Sequence, residues 1–479
     1  MFGLSHRGFA IRKRSLTEAS LKKLKSDLTL QPFCQPTTEV FLRPKPVQFF
    51  HEYEETIYIP RQFGATRVAK KTPPPFEDIG QVQHLQGIHF QGTLQELPLF
   101  SQHDACSRSI SDLQTRGGSL LSLPTGTGKT ACALYILSQI SVKTAVIVHK
   151  EPLLTQWKER IAHFLPAAQV GTIQGSIVDV DGKDIVIIML QSVCQMHRFP
   201  SRCPPETFQQ FGMVIMDECH HLSARVFSQV FHLLTRPYML GLSATLQRKD
   251  KTEESLQWFI GPISIEVKMM NNDVEVRTVY YSETEDFAEL PLNRMGKLNF
   301  SGLVTLITNI EKRNNLIISI VDQEVRNGRN IIVMSDRRDH CKNLQERMEK
   351  ENGIPGLLLI GGEMPTTEQI NECNLFFATF SLAAEGLDIP KLDCLILATP
   401  KADVVQATGR IMRNPGNQLR PPLIIDIVDH CGPMFAQYCK RKAFYNTSGF
   451  SFNNSIQKSQ SSSDGSFSRG SAANSFVTI

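Results

Sequence analysis

Apolar positions along the chain fall into two regular series separated by a less patterned stretch. In the first, from about residue 92 to 267, continuous apolar runs at 119–123, 145–148, 184–190, 213–216 and 238–242 alternate with helix-spaced patterns at 131–140, 152–164 and 225–234. Strands that are apolar throughout and lie between helices imply a parallel sheet covered on both faces. The second series opens with a long helical pattern from 300 to 326. Strand-like runs follow at 330–334, 357–360, 375–379, 394–398 and 423–427, with helical patterns at 339–349 and 403–413. The predicted fold class is therefore α/β, with two parallel-sheet domains in tandem at 92–268 and 299–450, joined by a linker at 269–298. Residues 1–91 read as a small α+β accessory region. There, Ser15, Leu16, Thr17 and Glu18 form a capping-box pattern, Leu21, Leu24 and Leu28 recur at helical spacing, and 55–60 alternates like a strand. Residues 72–75 are a proline-rich break, 434–445 an amphipathic helix, and 451–479, rich in Ser, Asn and Gly, a predicted disordered tail.

Composition changes this picture little. The chain has 479 residues, 20% charged and 41% hydrophobic, which is ample for real cores and ordinary for a soluble protein. Its longest apolar runs fall far short of the roughly 20 residues a membrane span needs, so no membrane partner is expected. A net charge of +4 names no partner. The first thirty residues differ: Arg7, Arg12, Lys13, Arg14, Lys22, Lys23 and Lys25 face only Glu18 and Asp27. That basic face is either a solvated surface or a contact for nucleic-acid phosphates. No apolar core follows it, which argues against a secretory signal. Eleven cysteines without a C-x-x-C pair indicate reduced thiols in an intracellular setting. Cys219, His220 and His221 lack a second ligand pair at metal spacing.

Chemistry enters at Leu123, Pro124, Thr125, Gly126, Thr127, Gly128, Lys129 and Thr130. An apolar strand, a glycine turn and a helix in that order form a phosphate-binding site, because glycines let backbone N–H groups converge and the helix N-terminus adds partial positive charge. Lys129 suits the β- and γ-phosphates of a nucleoside triphosphate, and the Thr130 hydroxyl suits magnesium. About ninety residues on, the apolar run 213–216 ends in Asp217 and Glu218. These residue types fit hydrolysis of a phosphoanhydride, with Asp217 holding magnesium and Glu218 polarising the attacking water. Ser243 and Thr245 end the next strand and can carry the state of the acidic turn to a neighbouring domain. In the second series Gln406, Arg410 and Arg413 sit at i, i+4 and i+7, one helical face. That series has no phosphate loop of its own, so its arginines are free to complete the first domain's site as arginine fingers.

At this point the chain resembles a superfamily 2 helicase or translocase, whose core is two RecA-like domains. Residues 123–130 match motif I, 217–220 motif II in its D-E-x-H form, 243–245 motif III, 384–388 motif V and 406–413 motif VI. Weaker matches are 149–157 (Ia), 191–192 (Ib) and 333–337 (IV). The resemblance implies ATP and Mg2+ as cofactors, adenine reading by Gln102, nucleotide contacts from Gly386 and Asp388, and strand contacts from His149, Gln191, Ser192, Ser335 and Arg337. Within the superfamily, 241–250 and 259–262 resemble the XPB-type branch. The ending 425–429 before 438–445 is similar to helicases of large DNA viruses related to the poxvirus transcript-release factor. The expected function is an ATP-dependent motor on DNA or RNA, gripping mostly phosphates and serving viral transcription or DNA metabolism, with transcription machinery as a further partner. Its setting would be the host cytoplasm or nucleus, or the virion. Two alternatives stand beside it: a duplex translocase that does not part the strands, and a nucleic-acid-binding scaffold whose ATPase has decayed.

Overall fold

The computed structural model describes residues 2–34, 43–69, 82–97, 99–124, 126–198, 204–221, 233–246, 251–267, 274–361, 365–384, 389–412 and 420–453. Two large sheets dominate. The N-terminal part contributes β1 (Phe2–Ser5), β2 (Gly8–Arg12), α1 (Glu18–Asp27), β3 (Thr29–Leu30), β4 (Val47–Gln48), β5 (His51–Glu52), β6 (Thr56–Ile59) and the short helix α2 (Arg61–Phe63). Strands β1, β2, β6 and β5 form an antiparallel sheet in that order. The α1 cap is Thr17, which accepts from the Ser20 N–H. Ser15, the expected cap, is spent on a tight turn, its hydroxyl donating to Arg12 O at 2.6 Å. Two of the basic side chains on this region, Lys13 and Lys25, share Glu52 at 2.9 and 2.5 Å.

After β7 (Glu96–Leu97) and β8 (Phe100–Ser101) comes the first main sheet. Its elements are α3 (Gln102–Arg116), β9 (Gly118–Ser122), α4 (Lys129–Ile140), β10 (Thr144–Val148), α5 (Glu151–Phe164), β11 (Val170–Gln174), β12 (Ile177–Asp179), β13 (Ile185–Met189), α6 (Leu190–Arg198), β14 (Met213–Met216), β15 (Tyr238–Ser243), α7 (Glu254–Phe259) and β16 (Ile263–Glu266). The sheet order is β12-β11-β13-β10-β14-β15-β9-β16, parallel except at β11–β12. Strands β9, β10, β13 and β14 are buried along their whole length, as a sheet covered on both faces requires. The expected helix at 225–234 lies largely outside the described residues.

The N-terminal sheet is not a separate appendage. Phe9, Ile11, Ile57 and Ile59 share one apolar cluster with Val186, Ile188 and Phe259 of the first main sheet's layer. Arg61, 2% exposed, donates to Arg236 O (2.6 Å), Pro237 O (3.0 Å) and Arg116 O (3.1 Å). Burial depresses its pKa to about 9. Residues 82–91, expected in the accessory region, also line the first sheet. Gln83 O accepts from the Lys143 N–H, and the Phe90 ring stacks on Phe164.

The second sheet comprises β17 (Glu275–Tyr281), α8 (Phe300–Thr308), α9 (Glu311–Arg326), β18 (Ile331–Ser335), α10 (Arg338–Asn352), β19 (Leu357–Leu359), α11 (Thr367–Glu372), β20 (Leu375–Thr379), α12 (Phe380–Ala384), β21 (Cys394–Leu397), α13 (Val405–Thr408), β22 (Leu423–Asp429), α14 (Gly432–Thr447) and β23 (Ser451–Asn453). All seven strands run parallel, in the order β19-β20-β18-β21-β22-β17-β23. Three expectations change here. Residues 275–281, read as linker, are a strand inside the sheet, because Val276, Val279 and Tyr281 point into it while Arg277 pairs with Glu324 at 2.6 Å. The long helix at 300–326 is two, since the Asn314 amide takes Thr308 O at 2.9 Å and the chain turns there. The helix at 403–413 contracts to one turn, Val405–Thr408, as bonds from Arg410 N–H to Ala407 O and from Ile411 N–H to Thr408 O tighten the backbone. Buried bidentate pairs, Arg313–Asp429 and Arg441–Asp426, fix the β22 end of the sheet. Among the described residues no helix is long and apolar enough to cross a membrane, and the cysteines are free thiols. Most of the tail at 451–479 lies outside the described residues.

Candidate functional site

Three neighbouring strands end together at one edge of the first sheet: β14 in Asp217, β15 in Ser243 and β9 in the phosphate loop. The register pairs Met216 with Gly241 and Ser243 with Ser122, and the Leu123 N–H donates to Ser243 O at 2.9 Å. Open α/β sheets bind ligands at this carboxyl edge. Gly126 and Gly128 both have φ of +82°, a region closed to most side chains. At Gly128 a Cβ would also stand 2.5 Å from the Gln102 amide nitrogen. That amide braces the loop. Its nitrogen donates to Thr127 O at 2.9 Å, and its oxygen accepts from the Gln95 N–H at 2.8 Å. Thr127 Oγ1 donates to Pro124 O at 2.8 Å. Lys129 opens α4; its ammonium donates to Leu123 O at 3.2 Å and lies 3.9 Å from Glu218 Oε1. Thr130 follows on the first turn of the same helix.

The carboxylates are held from several sides. Asp217 Oδ2 accepts from Trp157 Nε1 at 2.8 Å, and its Oδ1 accepts from the Glu218 N–H at 2.9 Å. Burial and the adjacent Glu218 charge raise the Asp217 pKa to about 6, while the Trp157 bond and Lys129 oppose that rise. Glu218 has φ of +46°, an unusual value for a side chain of its size and a common sign of a functional turn. Its Oε2 lies 3.4 Å from His220 Nδ1, which is 2.7 Å from Ser243 Oγ. Ser243 Oγ also accepts from the Thr245 N–H at 3.1 Å. A continuous chain of polar contacts thus joins Glu218, His220, Ser243 and Thr245. Two crowded carboxylates are hard oxygen donors that match magnesium, and a divalent cation would relieve the repulsion that lifts Asp217.

Next to Asp217 along the edge come the ends of β10 and β13. Gln191 is exposed and donates to His149 O at 2.7 Å, so these two expected strand contacts are physically joined. Ser192 is placed inward: it is 4% exposed, and its hydroxyl accepts from the Gly175 N–H at 2.9 Å, closing the β11–β12 turn. Ser335 is placed inward too. It is 1% exposed and bonds His340 Nδ1 at 3.0 Å and the Arg337 N–H at 3.1 Å. Both hydroxyls serve the fold because a small side chain at a strand end can satisfy a turn that would otherwise carry orphan backbone groups. The Arg337 guanidinium donates to Ser301 O (2.8 Å), Ser301 Oγ (2.9 Å) and Thr305 Oγ1 (3.2 Å), pinning α8. Gln406 lies on α13 and Arg410, 6% exposed, in the turn after it. With the helix ending at Thr408, Gln406 and Arg410 do not share one continuous helical face. Thr125, Gly386, Asp388 and Arg413 lie outside the described residues, as do residues 247–250.

Two residues of this site were not singled out by sequence reasoning. Gln95 anchors Gln102 through backbone only, so no side-chain pattern could reveal it. Trp157, one of only two tryptophans, offered rarity as a signal, but its indole meets Asp217 across 60 residues.

Comparison with known proteins agrees with this arrangement. The profile "Type III restriction enzyme, res subunit" matches residues 97–248, which contain the phosphate loop, Asp217, Glu218 and Ser243. The profile "Helicase conserved C-terminal domain" matches residues 311–415, and together the two cover more than half of the chain. A protein of Acanthamoeba polyphaga mimivirus, provisionally named an ATP-dependent RNA helicase, is 29% identical over 448 residues, spanning 91% of this chain and 83% of its own. A provisionally named helicase of Invertebrate iridescent virus 6 is 26% identical, spanning 75% and 82%. One from African swine fever virus, provisionally named an ATP-dependent RNA helicase, is 24% identical, spanning 74% of each. With two parallel-sheet lobes, the phosphate loop and D-E-x-H turn on one of them, and both helicase profiles matched in order, the chain belongs to the superfamily 2 helicases.

Proposed function

We propose that this protein is a nucleic-acid-stimulated ATPase that uses ATP and magnesium to open duplex DNA or RNA. The observation that supports this most is the shared edge of β9, β15 and β14, which brings Lys129, Asp217, Glu218 and the Ser243 relay together. Lys129 exchanges its contacts with Leu123 O and Glu218 for the β- and γ-phosphates. Thr130 and Asp217 would hold the magnesium, which when bound would neutralise phosphate charge. Glu218 orients the attacking water. Arg410 and Arg413 of the second lobe add positive charge to the γ-phosphate when the lobes close, a contribution of about 10³–10⁵ in turnover for such arginines. His220, Ser243 and Thr245 pass the state of Glu218 along the sheet edge, while the joined His149 and Gln191 contact strand phosphates without reading sequence. The kinship to proteins of large DNA viruses supports a viral setting inside the infected cell; within it the proposed role is transcription or DNA metabolism, with transcription machinery as a further partner.

The test is steady-state ATPase with no cofactor, single-stranded DNA, duplex DNA and single-stranded RNA in parallel. Stimulation by at least one nucleic acid, absent in Lys129→Ala, is the expected result; turnover indifferent to all of them overturns the reading. A forked duplex with one labelled strand separates opening from translocation alone, since displacement requires the former.

A further inference from the structure

Residues 289–299, between β17 and α8, form a compact pin. Leu292 and Leu298 face each other as an antiparallel bridge, the Asn293 N–H donates to Lys297 O at 2.7 Å, and the Gly296 N–H donates to Asn293 O at 2.9 Å. The Asn293 side chain fills the loop, its oxygen accepting from the Met295 and Lys297 N–H groups at 2.9 and 3.0 Å. Gly296, with φ of +71°, makes the reversal. The outward residues are apolar and basic together: Leu292 is 61% and Met295 69% exposed, with Arg294 and Lys297 exposed beside them.

The mount of this pin is rigid. The Asn299 N–H donates to Pro291 O at 2.7 Å, and the Asn299 side chain caps α8 by accepting from the Gly302 N–H at 3.1 Å. Arg337, at the end of β18, holds α8 through Ser301 and Thr305. Leu298 and Phe287 pack on Leu303, Ile307, Cys431 and Met434. Consequently the pin is fixed to the carboxyl edge of the second sheet, where β17 and β18 end. Charge is sorted along it, with Glu283, Glu285 and Glu289 before its foot and the cations at its tip. Such an order of charge disfavours a polyanion at the foot and favours one at the tip. An isolated exposed apolar residue needs no explanation, but Met295 between two cations at the end of a braced loop, with Leu292 exposed on the same pin, matches the apolar wedges that enter between base steps.

We propose that Met295 at the tip, with the exposed Leu292 on the pin's flank, is a wedge that abuts the terminal base pair of a nucleic-acid duplex, with Arg294 and Lys297 on the flanking phosphates. This rests on the reading of the protein as a strand-opening motor, and it locates where opening occurs. It also gives Arg337 a role other than direct strand contact, as the brace of the wedge.

The test uses the full chain with forked DNA and forked RNA duplexes carrying 2-aminopurine at the first pair of the fork. Without ATP, wild-type binding should change the 2-aminopurine fluorescence, and the double variant Leu292→Ser/Met295→Ser should lose that response. With ATP, the ratio of strands displaced to ATP consumed should fall about tenfold in the double variant. Arg294→Ala should lower the salt dependence of fork binding by about one unit of log–log slope, as removal of one phosphate contact does. An unchanged displacement ratio in the double variant overturns the wedge and leaves the tip to a protein partner. No 2-aminopurine response from wild type bound to the fork overturns it as well. Absence of nucleic-acid-stimulated ATPase in wild type strikes the motor reading instead, while the ATP-free fluorescence still decides the wedge.

Discussion

Trp157→Phe tests how Asp217, the carboxylate proposed to hold magnesium, is positioned. The indole N–H donates to Asp217 Oδ2 at 2.8 Å from α5, and the ring is 1% exposed. Phenylalanine keeps most of the apolar packing and removes the donor. A hydrogen bond to an ionised group contributes about 1.5–3 kcal/mol. At about 1.4 kcal/mol per decade, its loss predicts roughly 10- to 100-fold weaker magnesium use, the range found when the supporting partner of a metal ligand is removed. The assay is ATPase against free magnesium at saturating ATP. Half-saturation should rise by that factor, and kcat should recover at high magnesium. The pH profile carries a second reading. Burial and Glu218 already lift Asp217 to about 6, so losing the Trp157 bond lifts it further and lets protons compete at higher pH. The acid limb at low magnesium should therefore move upward, and added magnesium should move it back. Loss of kcat at every magnesium concentration, with half-saturation unchanged, refutes the positioning argument. A lower Tm alone does not reproduce it, because the smaller ring destabilises the fold without changing magnesium dependence.

Three further outcomes follow from the same geometry. Lys129→Ala should abolish turnover, measured by phosphate release, since its ammonium is the loop's only cation among the described residues from 120 to 130. Arg410→Ala should leave nucleotide binding within a few-fold, by fluorescent-analogue titration, and lower kcat by about 10³ or more. His340 is buried between Ser335 and Asn314, and burial with nearby Arg313 pushes its pKa from 6.5 to about 3. The fold favours the neutral ring, so its contribution is fully present above pH 6.5 and is lost as pH falls toward 3. At pH 5 that amounts to about 2 kcal/mol; denaturant melts at pH 7.5 and 5 should show it, and His340→Gln should show a smaller difference.

Both sheets were legible because their strands are buried on two faces and read as unbroken apolar runs. Where a strand alternates, the sequence signal fades: β17 mixes Glu275, Arg277 and Thr278 with its apolar residues and passes for linker. The N-terminal sheet was half visible, as its shared core with the first main sheet depends on contacts such as Arg61 to Arg236 O, 175 positions apart. At the site, backbone geometry and charge chemistry announced Gly126, Gly128, Lys129, Asp217 and Glu218. Hydroxyl roles did not follow from position. Ser192 and Ser335 stand where strand contacts were expected, yet each is turned inward by a turn that needs an acceptor.

That difference bears on how ATP affinity arises. Lys129 already holds partners in Leu123 O and Glu218, Thr127 holds Pro124 O, and Gln102 holds Thr127 O. Phosphate binding is therefore an exchange, and its net gain is smaller than the gross strength of the new ionic contacts. Once Lys129 turns to the phosphates, Glu218 loses a cation while Asp217 keeps its neighbour's negative charge. Triphosphate without magnesium thus adds negative charge to a turn already strained at φ of +46°. The ordering expected from these charges is that nucleotide binds weakly alone and gains most of its affinity with magnesium. Isothermal titration of a non-hydrolysable analogue, with and without magnesium, measures this directly. Equal affinity in both would mean that Asp217 and Glu218 do not face the phosphates, and the assignment of the hydrolytic site to this edge would fall with it.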